Sequence, residues 1–203
     1  MNKKKLGVTL GSLALVGAIG FGATLAYLSD TAGTLTNTFV VGDNISIELD
    51  EAKYNETGRT NEGNEYTDIL PGVAFEKDPT VTVNTPTTES YVFMAMRESE
   101  QVKPTDFNKD WVFVDEVGSV KVYRYNKPVN NEMLNGEEDI DKDRKGIQLP
   151  ALFNHAKLDE NYDLDNETII EDILVRAAAI QTGGLTEDQA YAQVKNFLVS
   201  FAR

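Results

Sequence analysis

The segment Ser90–Arg97 constrains the fold of this chain more than any other stretch of the sequence. Residues 91–96 are apolar at six consecutive positions, so an extended strand here has two apolar faces. Strands of this kind lie in the middle of sheets that are covered on both sides. The sequence therefore predicts that this segment is a central strand that is buried on both faces.

Shorter segments show the two-residue alternation of half-buried strands. Residues 44–50 carry isoleucine or leucine at every second position, which places one apolar face toward the core. Pro79 confines the strand predicted over residues 75–83 to a sheet edge or a strand start, because proline lacks the amide hydrogen of a ladder. Further strands are predicted at residues 35–41, 111–114 and 119–125, the last two as a hairpin around residues 116–118 that places Val112 and Val114 opposite Val120 and Val122.

Polar segments separate these strands. Residues 51–68 are predicted to form a surface loop before a turn at residues 70–72. Residues 127–146 hold ten charged side chains and read as a charged excursion from the sheet. The core is expected to resume at Leu149, Leu152 and Phe153.

The C-terminal element is predicted to be an amphipathic helix that packs on the sheet. Thr186 and Gln189 have the spacing of a capping box. The apolar residues that follow recur at helical spacing, which gives the helix one apolar face; they are Ala190, Tyr191, Val194, Phe197, Leu198 and Phe201.

The segment before this helix, residues 168–181, fits both a helix and a strand. Asn166-Glu167 and Gly183-Gly184 resemble a helix start and stop, whereas the apolar residues between them alternate. Short strands, turn-rich joints and one terminal helix together predict a mainly β chain, an antiparallel β-sandwich with a C-terminal amphipathic helix.

The first 28 residues have the layout of a bacterial export signal. Three lysines precede an uncharged run, and small residues stand just before Tyr27, so a signal peptide helix over residues 1–26 with cleavage between Ala26 and Tyr27 is predicted. Residues 27–203 would then form a single secreted domain. The uncharged run of residues 6–28 is also long enough to span a bilayer, which leaves a retained anchor as the alternative.

Charge and cysteine content restrict partners and stabilisation. The chain has a net charge of −14; residues 1–26 hold three of the 19 basic residues and none of the 33 acidic ones, so residues 27–203 carry −17. Such a surface repels nucleic acid and anionic lipid, which leaves membrane contact only to the N-terminal segment before cleavage. Since there is no cysteine, no disulfide contributes to stability.

The residues that support catalysis or zinc binding are scarce. The chain has one histidine, His155, and no cysteine, and it lacks the His-Glu-x-x-His motif of helical zinc sites. A nucleophilic triad would need His155 as its base, and no Gly-x-Ser-x-Gly motif accompanies it. The sequence therefore predicts a protein that is not an enzyme.

Two groups of aspartates raise calcium binding, because hard cations prefer oxygen ligands. The groups are Asp139, Asp141 and Asp143, and Asp159, Asp163 and Asp165. Neither group has the glycine and terminal glutamate of an EF-hand loop. A solvated charged loop and a weak calcium site both remain open, and no other cofactor is expected.

A series of short segments, in their order along the chain, carries a family resemblance. They are Lys3-Lys4-Lys5 with the Gly/Ala-rich run that ends in Ala26-Tyr27-Leu28-Ser29-Asp30, then Phe39-Val40-Val41-Gly42, Ile69-Leu70-Pro71-Gly72, and residues 77–83, 91–96, 149–153 and 175–181. This series resembles the secreted biofilm-fibre family that includes TasA, CalY and camelysin. The segment 127–146 departs from the family pattern.

The resemblance implies a jelly-roll-like sandwich, which favours a strand at residues 172–181, and a signal peptide cut by a SipW-type signal peptidase. In fibre-forming members the mature N-terminal strand inserts into the sheet of the next subunit, which implies that residues 27–41 are a donor strand and that the protein self-associates into filaments. The predicted function is a secreted structural subunit of an extracellular matrix or surface fibre.

Two other functions remain as alternatives. Camelysin is classed as a metallopeptidase, so the resemblance also implies a camelysin-like metalloendopeptidase. The other is a membrane-anchored cell-surface binding module held by an uncleaved N-terminal segment.

Overall fold

A computed structural model describes residues 29–32, 45–51, 59–60, 63–64, 66–84, 88–130, 133, 146–163 and 170–202. Most of these residues lie in antiparallel strands. The strands are β1 (Ser29–Ala32), β2 (Ser46–Glu51), β3 (Arg59–Thr60), β4 (Gly63–Asn64), β5 (Ala74–Glu76), β6 (Pro79–Asn84), β7 (Ser90–Arg97), β8 (Val102–Phe107), β9 (Trp111–Val117), β10 (Val120–Tyr125), β11 (Gly146–Gln148), β12 (Phe153–Leu158) and β13 (Leu174–Gln181), and they are followed by the helix α1 (Glu187–Leu198).

The strands form three larger sheets and one small hairpin. A five-stranded sheet has the order β1-β13-β7-β10-β9, and two three-stranded sheets have the orders β11-β6-β2 and β5-β12-β8. Strands β3 and β4 pair only with each other, in a hairpin within the segment 51–68, which the sequence predicted to be a loop. Strand β7 lies at the centre of the largest sheet, as its apolar run predicted.

Strand β7 is covered on both faces, each by a different layer. Its residues Val92, Met94 and Met96 pack in one cluster with Ile47 of β2 and Val81 and Val83 of β6. Phe93 and Ala95 point the other way and pack in a second cluster with Ala190, Val194 and Leu198 of α1. The five-stranded sheet is therefore the middle layer, between a three-stranded sheet and a helix.

Residues 174–181 form a strand, which decides between the two structures that fitted this segment. Strand β13 pairs with β7 along its whole length, from Leu174 opposite Arg97 to Gln181 opposite Ser90. Ala177 and Ala179 belong to the core cluster on one face of the sheet, and Ala178 and Ile180 to the cluster on the other. A helix would bury only one of these faces.

Helix α1 begins and faces the sheet as predicted. The Thr186 hydroxyl accepts a hydrogen bond from the Gln189 amide, and the Gln189 side chain accepts one from the Thr186 amide. This reciprocal pair satisfies two donors that the first turn leaves free. Ala190, Val194 and Leu198 are buried against the sheet.

The predicted hairpin exists, but the predicted register is wrong. The turn lies at Gly118-Ser119, with Gly118 at a φ of +59°, so Val120 pairs with Val117 and Val112 pairs with Arg124. A bulge between Val122 and Tyr123 shifts the register further. The left-handed conformation of a glycine allows this tighter turn.

The strand predicted over residues 75–83 is divided into two strands that belong to different sheets. Strand β5 pairs with β12, whereas β6 begins at Pro79 and pairs with β2 and β11. Between them, the Lys77 amide donates a hydrogen bond to the Asn154 carbonyl, 3.2 Å away. The prediction that Pro79 starts a strand is confirmed. Proline is tolerated at the first residue of a strand, where its missing amide hydrogen leaves no gap within the ladder.

The described part of the charged excursion is tied to the core. Val129 is fully buried and exchanges two backbone hydrogen bonds with Ser90, of 2.9 and 2.8 Å. Met133 packs on the first core cluster. The prediction of a charged excursion therefore missed these two apolar residues, which lie among the ten charged ones. The strand predicted at residues 35–41 lies outside the described residues.

Introducing a charge on the buried face of α1 is expected to unfold the protein. In the variant Val194→Asp, a carboxylate replaces a side chain that is 3% exposed, and an uncompensated buried charge costs roughly 3–5 kcal/mol. The matched control is Asn196→Asp, which places the same carboxylate on the exposed side of the helix. Thermal melts followed by circular dichroism measure both. Equal melting temperatures for the two variants would contradict packing of α1 on the sheet.

Candidate assembly edge

Among the strands that the structure describes, β1 lies at one edge of the five-stranded sheet. It pairs antiparallel with β13, from Ser29 opposite Ile180 to Ala32 opposite Ala177. Strand β1 has four residues and β13 has eight. Strand β1 thus pairs with four of the eight residues of β13.

The edge that β1 covers belongs to a well-fixed strand. Ala177, Ala178, Ala179 and Ile180 are all fully buried, and β13 is held on its inner side by the central strand β7. Loss of the four-residue ladder with β1 would leave intact the eight-residue ladder between β13 and β7. Departure of β1 would expose the edge of a strand that other contacts keep in place.

The opposite edge of the same sheet is poorly suited to strand addition. This edge is β9, which carries a bulge: Val114 has no partner between the pairs Asp115–Val122 and Phe113–Tyr123. Asp115 and Glu116 place two carboxylates on the edge strand. Bulges and charged side chains are the devices by which natural sheets prevent edge pairing. The two edges therefore differ: one is blunted, and the other is occupied by the N-terminal segment.

A charged network attaches the helix to the blunted edge. One oxygen of Asp115 accepts hydrogen bonds from the Tyr191 hydroxyl and the Lys195 ammonium, both at 2.8 Å. The bond from Lys195, followed by that from Tyr191, holds the pKa of Asp115 below its ordinary value of 3.8. Burial, together with Asp115, raises the pKa of Tyr191. This network was not predicted, although Tyr191 and Lys195 stand at i and i+4 on one helix face.

Two arginines hold the C-terminal end of the helix. Arg176 of β13 donates to the Phe197 carbonyl at 3.2 Å, and its guanidinium lies 5.4 Å from the Phe197 ring centroid and 4.8 Å from that of Phe201. Arg97 of β7 donates to the Phe201 carbonyl at 3.3 Å. Cations at this end of a helix satisfy free carbonyls and complement the helix dipole. The strand next to β1 is therefore also attached to the helix.

A row of aromatic rings lies near the blunted edge. Phe107 and Tyr123 stack with ring centroids 5.7 Å apart, and Phe113 meets Tyr123 edge-on at 5.9 Å. Phe113 is 53% exposed and Phe107 is 43% exposed. Each exposed ring thus covers part of its neighbour.

The sole histidine, His155, is hydrogen-bonded to an aspartate at the surface. Its Nδ1 lies 2.7 Å from an oxygen of Asp106, and both side chains are substantially exposed. Among the described residues, no group of three or more histidine, aspartate or glutamate side chains is arranged to hold a metal. Asp159 accepts hydrogen bonds from the amide and side chain of Asn161 in a turn, and Asp163 follows that turn.

The other residues singled out in the sequence lie outside the described ranges. They are Asp139, Asp141, Asp143 and Asp165 of the calcium hypothesis, and Ala26 and Tyr27 of the predicted cleavage site. Within the described ranges, no helix has the length and apolarity needed to cross a membrane.

Comparisons with protein-family models, curated proteins and solved structures found no match to this chain.

The Asp115 network is expected to make the stability of the protein sensitive to acid. Because the pKa of Asp115 is lower in the folded state, its contribution is fully present above pH 3.8 and is lost as the pH falls through the folded value. The variant Asp115→Asn is expected to lose about 0.5–1 kcal/mol at pH 7, in the range of partly exposed ion pairs. This deficit should shrink below pH 3.8.

The measurement is urea unfolding of wild type and variant between pH 7 and pH 3. Glu116→Gln is the control, because it removes an exposed carboxylate from the neighbouring position of the same strand. A deficit for Asp115→Asn that stays constant across this range would show that the network does not depend on the Asp115 charge.

Proposed function

We propose that this chain is a secreted structural subunit of an extracellular matrix or biofilm-type fibre, and that its subunits join by exchange of the N-terminal strand. The observation that carries the proposal is the position of β1, a four-residue strand on the edge of an otherwise firmly held sheet. If β1 of one copy pairs with β13 of the next, the same backbone contacts form between subunits. Repetition of this head-to-tail contact produces a filament.

Cleavage between Ala26 and Tyr27 by a SipW-type signal peptidase would release the strand. The new N-terminus would stand two residues before Ser29, where β1 begins. While residues 1–26 remain attached to the membrane, β1 cannot pass to another copy. Processing would therefore license assembly outside the cell, and membrane contact would end with it.

The finer fold that fits this function is a jelly-roll-like β-sandwich. The five-stranded sheet and the sheet β11-β6-β2 pack face to face through one apolar cluster, which supports the sandwich. The jelly-roll-like topology itself is inferred from the resemblance of the sequence to the family of TasA, CalY and camelysin. In this proposal the protein is not an enzyme, needs no cofactor and does not bind nucleic acid.

The acidic charge adds a condition to assembly. Residues 27–203 carry −17, as counted above, so neighbouring copies repel one another at low ionic strength. Filament growth is therefore expected to require enough salt to screen this repulsion.

The secreted protein is expected to begin at Tyr27. Intact mass of protein collected from the medium measures this start. A membrane-bound product that retains Lys3, Lys4 and Lys5 would contradict cleavage and would favour the anchored cell-surface binding module.

A disulfide between β1 and β13 is expected to prevent filament growth. Thr31 and Ala178 are directly opposite in the register, and such antiparallel partners are about 5 Å apart at Cα, within disulfide range. The chain has no other cysteine. The double variant Thr31→Cys/Ala178→Cys, oxidised as a monomer, should remain monomeric in high salt, whereas the reduced protein should elongate as wild type does. Light scattering and electron microscopy record the difference.

The same variant distinguishes exchange from simple association. If it is assembled while reduced and then oxidised, it should give a ladder of covalent multimers on a non-reducing gel, and the single variant Ala178→Cys should give none. Equal filament growth by the locked monomer would contradict strand exchange. Absence of filaments in every state, together with stoichiometric zinc in the purified protein, would favour the metalloendopeptidase instead.

A further inference from the structure

The side chains of Lys77, Asn64 and Tyr66 all hydrogen-bond to the carboxylate of Glu51, beside the β3-β4 hairpin. The Lys77 ammonium bonds to Oε1 of Glu51. On the other oxygen, Oε2, the Asn64 side-chain amide donates at 2.6 Å and the Tyr66 hydroxyl at 2.7 Å. The Lys77 nitrogen and the Asn64 amide are therefore held on the two oxygens of the same group.

This cluster is largely withdrawn from water. The side chains of Lys77 and Glu51 are 10% and 14% exposed. The Lys77 nitrogen lies 5.0 Å from the centroid of the Tyr66 ring, and this ring lies 5.0 Å from that of Phe75. Two aromatic rings thus form one side of the cluster.

Glu51, Lys77 and Asn64 lie on separate elements of the fold. Glu51 is the last residue of β2, directly opposite Pro79 in the register. Lys77 is fixed between β5 and β6 by its amide bond to Asn154. Asn64 ends the β3-β4 hairpin, opposite Arg59. The three side chains therefore meet only because the fold brings these elements together.

An ion pair in such surroundings is costly to maintain, because both charges have lost water. Transfer of one proton from the Lys77 ammonium to the Glu51 carboxylate converts the pair into an amine and a carboxylic acid, and this removes both charges. A neutral lysine is a nucleophile. Asn64, whose side-chain carbon Cγ is an electrophile, is hydrogen-bonded to the other oxygen of the same carboxylate.

We propose that Lys77 and Asn64 join in an intramolecular amide bond, with Glu51 as the proton carrier. The Lys77 Nζ–Asn64 Cγ bond forms and the Asn64 Cγ–Nδ2 bond breaks. The protonated Glu51 polarises the side-chain carbonyl of Asn64 after rotation of the amide and delivers a proton to the departing nitrogen. The ammonium of Lys77 and the amide of Asn64 become a secondary amide and a released ammonium ion, so atoms and charge balance without an oxidant or other reactant.

Tyr66 has a positioning role in this reaction. Its hydroxyl bonds to the oxygen that faces Asn64, and its ring covers the Lys77 nitrogen. It thereby orients the carboxylate and excludes water from the amine at the same time. The product would staple the hairpin β3-β4 to the junction between β5 and β6, independently of any assembly into fibres.

Mass spectrometry of the purified wild-type protein tests the proposal. The measured intact mass should be lower than the mass calculated from the sequence of the purified protein, and the difference should be the mass of one ammonia molecule. Trypsin should fail to cut after Lys77 and should leave residues 60–97 as one peptide. Cleavage at glutamate after Glu65 and Glu76 separates Asn64 and Lys77 into different peptides, and these should remain joined to each other.

The matched variants are Lys77→Arg and Glu51→Gln. The first keeps a cation but has no amine that forms the bond, and the second keeps the shape of the side chain but cannot take the proton. Both should have their full sequence mass, with circular dichroism confirming that they are folded. Tyr66→Phe should slow the loss of ammonia in freshly synthesised protein, whereas a merely structural hydroxyl would leave that rate unchanged.

Succinimide formation at Asn135-Gly136 would also release ammonia, and peptide mapping separates the two reactions because a succinimide joins no peptides. A wild-type protein with its full sequence mass, cut normally after Lys77, would overturn the proposal. So would the same joined peptides in Glu51→Gln at the wild-type level.

Discussion

Burial of β7 on both faces is the constraint on which the rest of the structure depends. Since its six inner residues are apolar, the strand is stable only if a separate layer covers each side. The sheet β11-β6-β2 covers one side through Ile47, Val81 and Val83, and α1 covers the other through Val194 and Leu198. Strands β10 and β13 then complete the sheet on either side. The position of β1 on the outer edge of β13 follows from this order.

The same order separates the body of the fold from the short strand that the proposed assembly would exchange. Strand β13 is fixed by β7, by the two core clusters and by the contacts of Arg176 with α1. Strand β1 pairs with this body through a short ladder with β13 and also lies beside β2. In the proposed assembly the core would remain in place when β1 leaves, which is a requirement of strand exchange.

The elements with a strong local pattern were predictable from the sequence, and the tertiary pairings were not. The apolar run of β7 and the Thr186 capping box describe their own surroundings, so both predictions were confirmed. The strand β8 was missed, because Val102, Pro104 and Thr105 show no alternation and Pro104 argues against a strand. The register of the β9-β10 hairpin depended on one glycine at a positive φ, and the bulge left no signal in the residue pattern.

The candidate sites divide in the same way. The N-terminal strand was predicted as a segment, but the partner strand that it covers depends on the topology. The cluster of Glu51, Asn64 and Lys77 brings together residues up to 26 positions apart, and no sequence spacing announces it. By contrast, β1 is the first described element to leave the ribosome, and its partner β13 is nearly the last. The pairing of β1 with β13 therefore joins residues from opposite ends of the chain. Contacts of such long range form slowly. During that interval β1 has no partner edge in its own chain, so in the proposed assembly the kinetics of folding would decide between pairing within one chain and pairing between chains.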